Sequence, residues 1–185
     1  MKQPAPISSI LHHNAYVTRD MEAVRRFYEE IIGMPLVATW CEQTQLFGKE
    51  RTYVHCYFQL GESGECLAFF QFADPDDDRE FGPELQPSGF RHIAMKVDQA
   101  TQDGIIERLK AANYSEPEMY ILDHGYCYSV YVFDPSGLLI EYTVDHPDVE
   151  SIKVEQAARA HAELERWLAG NHAPNNNAYE RHGSA

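Results

Sequence analysis

The chain repeats itself, and that duplication limits its possible folds more than any other feature. His13-Asn-Ala-Tyr-Val-Thr-Arg-Asp20 opens one copy. His92-Ile-Ala-Met-Lys-Val-Asp98 opens the other, with a period of about 75 residues. In each copy a strand-like run bearing a histidine leads to an aspartate that caps a helical segment. Asp20 precedes Met21, Val24, Phe27, Tyr28, Ile31 and Ile32, which share one helical face, and Gly33 supplies a left-handed stop. Asp98 precedes Ile105, Ile106 and Leu109, with an end near Asn113.

Strand-like runs rich in Tyr, Phe, Val and Ile surround these helices. They are Ile10–Thr18, Pro35–Cys41, Tyr53–Leu60 and Cys66–Phe72 in the first copy. In the second they are Phe90–Val97, Ser115–Leu122, Tyr128–Phe133 and Leu138–Val144. Gly61–Glu65 and Asp134–Gly137 read as hairpin turns. The acidic, proline-bearing stretch Ala73–Gly89 reads as a linker. A third helical segment runs from about Asp148 to Gly170, with a stripe of Val154, Ala157, His161, Leu164 and Leu168. That stripe is expected to pack on the domain or on a second copy. The polar stretch Asn171–Ala185 is expected to be a mobile tail or an arm over a neighbour. The fold class is therefore α+β: two paired βαβββ modules, 7–74 and 89–145, joined by a linker, 75–88, and followed by a C-terminal helix and tail, 146–185. The paired modules are expected to build a curved mixed sheet around a shared concavity.

Charge narrows the partners. Fifteen Lys and Arg stand against 29 Asp and Glu, a formal charge of −14. Nucleic-acid binding needs clustered cations, and anionic membranes repel such a surface. No apolar run approaches the roughly 20 residues of a membrane span. The opening MKQPAPISSI lacks the apolar core of an export signal. Cys41, Cys56, Cys66 and Cys127 form no CxxC pair, so they are expected reduced, in a cytoplasmic protein. A small molecule is the expected partner.

The nine histidines are the chemical clue. His13 and His92 occupy matching repeat positions on first strands. Glu141 sits in the apolar run Leu138–Val144, where a carboxylate is costly to bury unless it is paired or metal-bound. Two histidines and one carboxylate suit a divalent metal and leave open positions, as on non-haem Fe(II). Taken singly, a strand histidine is more often packed in a core or solvated, and a strand glutamate often faces water. His12 rivals His13, but strand alternation sends neighbouring side chains to opposite faces.

HHNAYVTRD, FYEEIIGMPL, RHIAMKVD and FDPSGLLIEY resemble the vicinal-oxygen-chelate superfamily of glyoxalases, extradiol dioxygenases, fosfomycin-resistance enzymes and bleomycin-binding proteins. The resemblance covers roughly Ile7 to Asp145. It implies metal ligands at His13, His92 and Glu141, and a fourth position at Phe69, with Gln71 next inward, where no good ligand stands. His124-Gly-Tyr-Cys-Tyr-Ser-Val-Tyr131-Val-Phe-Asp134-Pro-Ser-Gly137-Leu-Leu-Ile-Glu141 resembles the extradiol ring-cleavage signature, with Leu122 departing upstream. That resemblance implies His124 as acid–base, Tyr131 as hydrogen-bond donor and Fe(II) as cofactor. It implies an aromatic diol and O2 as substrates, in aromatic compound catabolism. Larger extradiol enzymes carry a further histidine beside the metal ligands; Glu65 stands at that position here, and either Glu65 or His55 on the preceding strand would take its role. Tyr126, Tyr128, Phe69 and Phe72 add aromatic lining. Two rivals keep the fold: a glyoxalase-like isomerase or lyase on Zn(II), Ni(II) or Mn(II), and a metal-free drug-binding protein. A homodimer fits the tail helix and the family's habit.

Overall fold

The computed structural model describes residues 9–62, 64–83, 86 and 88–182. Ile7, Ser63, Glu84, Leu85, Pro87 and Gly183–Ala185, which enter the expected module, turn, linker and tail, lie outside the described residues. The chain divides into two compact units, Met1–Gln86 and Pro87–Ala185.

In the first unit β1 (His13–Val17) is followed by α1 (Met21–Arg25), which widens into a π-helical segment, Arg26–Ile32. Then come β2 (Leu36–Leu46), β3 (Lys49–Gln59), β4 (Cys66–Phe72) and α2 (Pro75–Phe81). The sheet order is β1-β4-β3-β2, with β1 parallel to β4 and the other pairs antiparallel. The Asp20 side chain accepts from the Ala23 amide, as its capping position requires. Gly33 adopts φ 94°, where its N–H closes the helix on Tyr28 O at 2.9 Å. The helical face of Val24, Phe27, Tyr28 and Ile32 is buried, with the Tyr28 ring 5.4 Å from Phe58 and 5.3 Å from Phe69.

Two expectations change here. The β2–β3 hairpin runs well past Cys41, out to the Leu46↔Lys49 pair. Phe47 and Gly48 both take positive φ, the turn geometry that matches strand twist. The acidic linker is also partly helical. Asp74 caps α2, Pro75 fills its first turn, and the Asp78 carboxylate accepts the Phe72 amide at 2.9 Å. Asp77 is buried against Arg51, 3.2 Å away. These acids anchor α2 rather than merely solvating the surface.

The second unit repeats the order: β5 (His92–Lys96), α3 (Gln99–Ala111), β6 (Met119–Asp123), β7 (Cys127–Phe133) and β8 (Leu139–Asp145). α4 (Val149–Leu168) and β9 (Glu180–His182) follow. The sheet order is β5-β8-β7-β6-β9, again with one parallel pair, β5–β8. Asp98 caps α3 through the Thr101 amide at 2.8 Å. The buried Gln102 side chain donates to Tyr128 O and Tyr142 O at 2.8 Å each, fixing α3 to the sheet. The fold is thus α+β with two βαβββ modules and a C-terminal helix, and each module has its own mixed sheet.

Of the two packings expected for the tail helix, the one on its own unit is nearly absent. Val154 and Leu168 on its stripe are 73% and 74% exposed, and His161 is exposed too. Only Val149 is buried, because α4 meets its own unit at its first turn. The following arm is ordered as β9, which extends the sheet by pairing antiparallel with β6.

Candidate metal and acid–base site

β8 lies between β5 and β7, so Glu141 stands opposite Ala94 on one side and Tyr131 on the other. Glu141 is only 5% exposed, and the Ser129, His92 and Tyr131 side chains all meet its carboxylate. The buried Ser129 hydroxyl donates to Oε1 at 2.6 Å and lies 3.0 Å from Thr143 Oγ1. Oε2 lies 2.9 Å from His92 Nε2. The other His92 nitrogen, Nδ1, is 3.3 Å from Gly89 O. A carbonyl only accepts, so where this contact is a hydrogen bond the proton is on Nδ1 and Nε2 presents its lone pair; in the other tautomer Nε2 donates to Glu141. With the proton on Nδ1, the imidazole lone pair and the carboxylate oxygen converge as two ligand atoms. A divalent ion fits that donor set, with the Gly89 carbonyl and Ser129 hydroxyl orienting its two ligands.

Beside this pair stands a second one. His124 Nε2 is 3.0 Å from the Tyr131 hydroxyl. Tyr131 is buried, its ring edge-on to His92 at 5.4 Å and stacked on Tyr120 at 5.0 Å. Burial, reinforced by the Glu141 carboxylate, holds its phenol far above the usual tyrosine range. Tyr131 therefore stays protonated and acts as a donor. His124 is in turn surrounded by Tyr126 and by Tyr179 of the C-terminal arm, at 5.7 and 5.4 Å between ring centroids. The Asn176 side chain donates to His124 O at 2.9 Å. His92, Glu141, His124 and Tyr131 are thus brought together within the second unit.

His13 lies on β1 of the first unit, exposed, with its ring 5.4 Å from Tyr57. Its Nδ1 sits 2.7 Å from His12 Nδ1, so the two rings are neighbours rather than on opposite faces. The alternation rule fails because β1 begins at His13 and His12 precedes it.

Strand register also corrects the fourth position. His92 aligns with Leu139 across the parallel pair, and His13 aligns with Cys66. The residue matching Glu141 is therefore Ala68, not Phe69. Phe69 faces Tyr28 in the helix-side core, and the Gln71 side chain accepts the Met21 amide at 2.9 Å. By the same register Tyr57 matches Tyr131, since Tyr57 pairs with Ala68 and Tyr131 with Glu141. The first unit keeps the histidine and the tyrosine and lacks the carboxylate.

His55 stacks on Phe70 at 3.7 Å, and its Nε2 is buried with no hydrogen-bond partner among the described residues. Burial pushes its pKa below the ordinary histidine value. Glu65 is half-buried just before β4. Sequence reasoning missed Ser129 and Cys127. Both share the Tyr131 face by strand alternation, and Ser129 turns out to be the anchor of Glu141.

Comparison with known proteins settles the family. The family model for the Glyoxalase/Bleomycin resistance protein/Dioxygenase superfamily matches residues 10–142. The chain belongs to that superfamily. A fosfomycin resistance protein, FosX, from Listeria monocytogenes is similar at 18% identity and TM-score 0.53, covering 77% of this chain and 98% of its own. FosX from Mesorhizobium loti is similar at 22% identity and TM-score 0.53, covering 83% of this chain and 100% of its own. A mutant of the Listeria FosX, complexed with Mn(II) and 1S,2S-dihydroxypropylphosphonic acid, is similar at 19% identity and TM-score 0.53, covering 77% and 97%. At these identities the likeness is one of fold. Neither it nor the family model singles out the ring-cleaving branch that the signature suggests. No curated protein matches the chain.

Proposed function

We propose that the chain is a divalent-metal-dependent enzyme of the glyoxalase type, an isomerase or lyase acting on a small polar molecule that chelates the metal. The observation that carries this reading is the 2.9 Å approach of His92 Nε2 to Glu141 Oε2, with His92 Nδ1 turned to the Gly89 carbonyl. His92 and Glu141 would hold the ion. His13, at the matching repeat position, is proposed as a third protein ligand on sequence grounds. When bound, the metal supplies Lewis-acid polarisation of a substrate oxygen. The Mn(II) named for the FosX complex supports a divalent cation of this class. Mn(II), Zn(II), Ni(II) and Fe(II) all suit an imidazole and carboxylate set.

The chain's own groups then handle the proton. His124 Nε2 takes or returns it beside the substrate. Tyr131, kept protonated by burial, donates to the substrate oxygen where negative charge develops. Ser129 holds Glu141 in place throughout, so the ligand does not swing away as charge shifts.

A second reading, Fe(II)-dependent extradiol opening of an aromatic diol with O2, is favoured by one feature. The signature spacing from His124 through Tyr131 to Glu141 is matched by a 3.0 Å contact between His124 and Tyr131. Among the described residues no helix is long and apolar enough to cross a membrane. A cytoplasmic location and a homodimer belong to the same proposal.

The test is anaerobic reconstitution with each metal, followed by substrate panels of hemithioacetals, epoxides and catechols with oxygen uptake recorded. Metal-dependent turnover without oxygen uptake supports the main reading. Oxygen uptake with catechol and Fe(II) alone transfers the assignment to the second. Turnover unaffected by metal removal contradicts both.

A further inference from the structure

We propose that His124, Cys127 and Glu141 form a second metal seat, one that takes a borderline-soft cation such as Zn(II) or Co(II) through a thiolate. Their ligand atoms all lie within 4.8 Å of one another. Ligand atoms on a tetrahedral zinc with bonds of about 2.0–2.3 Å stand roughly 3.3–3.8 Å apart. Closing the seat therefore takes side-chain movement of about 1 Å.

The backbone favours that closure. His124 and Cys127 flank the short turn between β6 and β7, where the His124 amide donates to Cys127 O at 2.9 Å. Gly125 supplies the positive φ of 78° that the turn needs. Two ligands on so tight a turn are already close, so little chain entropy is lost in bringing them to one ion. The third ligand, Glu141, is buried and fixed by Ser129. Cys127 is buried as well and touches no group stronger than the Ser129 hydroxyl, 3.7 Å away.

Donor chemistry separates this seat from the one at His92. An imidazole and carboxylate set accepts hard and borderline ions alike, whereas a thiolate selects for Zn(II) and Co(II) over Mn(II). Binding breaks the Cys127 S–H bond, forms the sulfur–metal bond and releases the proton to water, with no change of oxidation state. The geometry stands whatever the reaction is. Only the consequence for turnover rests on the proposed function: an ion here occupies Glu141 and His124 together, so Zn(II) inhibits where Mn(II) activates.

The full-length apo-protein is titrated with Co(II) without oxygen, and the near-ultraviolet sulfur-to-cobalt charge-transfer band is recorded. The band is expected in the wild type and in His92→Ala, and is expected to vanish in Cys127→Ser and Cys127→Ala. Far-ultraviolet circular dichroism of the two Cys127 variants confirms folding, and whichever folds carries the test. Zn(II) affinity is expected to fall about ten-fold or more in that variant, with Mn(II) affinity unchanged within about twofold. A wild type without the band, or a band that survives loss of Cys127, overturns the seat. So does an equal loss of Zn(II) and Mn(II). Failure of the proposed enzyme reading leaves the band untouched, so the two outcomes are distinguishable.

Discussion

Glu141 Oε2 lies 2.9 Å from His92 Nε2, across the one parallel strand pair of the second unit. The pair depends on its supports. Removing the Ser129 hydroxyl frees Glu141 Oε1 without touching either ligand. Ser129→Ala is expected to weaken Mn(II) binding about 10–100-fold, the usual effect of losing such a support. Competition against a fluorescent chelator measures it, and circular dichroism should be unchanged.

Tyr131→Phe removes the hydroxyl that meets His124 at 3.0 Å. Metal affinity should hold while kcat falls about 100–1,000-fold, the cost of one donor at a developing negative charge. Because burial keeps the phenol protonated, the wild-type pH–rate profile should show no alkaline limb from Tyr131 in the ordinary tyrosine range. Steady-state kinetics of the variant across pH test both statements.

His55 gives an acid-sensitive term to stability. Its folded pKa is depressed by burial below the usual 6.5. Above pH 6.5 it is neutral in both states, so nothing is lost there. As pH falls through 6.5 the unfolded chain takes up a proton that the folded chain refuses, so stability drops until the lower folded pKa is passed. His55→Phe should flatten this part of the acid limb in a plot of Tm against pH.

Asp77→Ala removes the buried partner of Arg51 and leaves it the exposed Glu80 carboxylate, 3.5 Å away. The expected loss is about 2–3 kcal/mol, because the guanidinium loses its buried partner and keeps only the exposed one. Asp76→Ala, on the exposed side of the same helix, should change stability by less than about 0.5 kcal/mol. Urea denaturation of the two variants compares them directly.

Much of this architecture was legible in the residues. Asp20 and Asp98 marked both helix starts, and period-two aromatic and β-branched runs marked the strands of each module. The carboxylate in the β8 apolar run and its nearness to His92 followed from the repeat. Register did not: choosing Ala68 over Phe69 requires the β1–β4 pairing, which no local pattern encodes. His12 and His13 misled because alternation was applied to a residue outside the strand. α2 was hidden because its acids read as solvated linker, while the structure uses Asp78 on a strand amide and Asp77 on Arg51. The α4 stripe has helical period, yet period alone does not say what it meets. Ser129 and Cys127 were visible by alternation from Tyr131, but a small residue in a strand carries no signal of its own.

The most direct test is bound metal itself. Wild type and His92→Ala are stripped, reconstituted anaerobically with Mn(II), desalted and analysed by elemental mass spectrometry. One ion per wild-type chain and none in the folded variant is the expected result. Equal metal in both, or none in the wild type, would contradict the assignment of His92 and Glu141 as the metal centre.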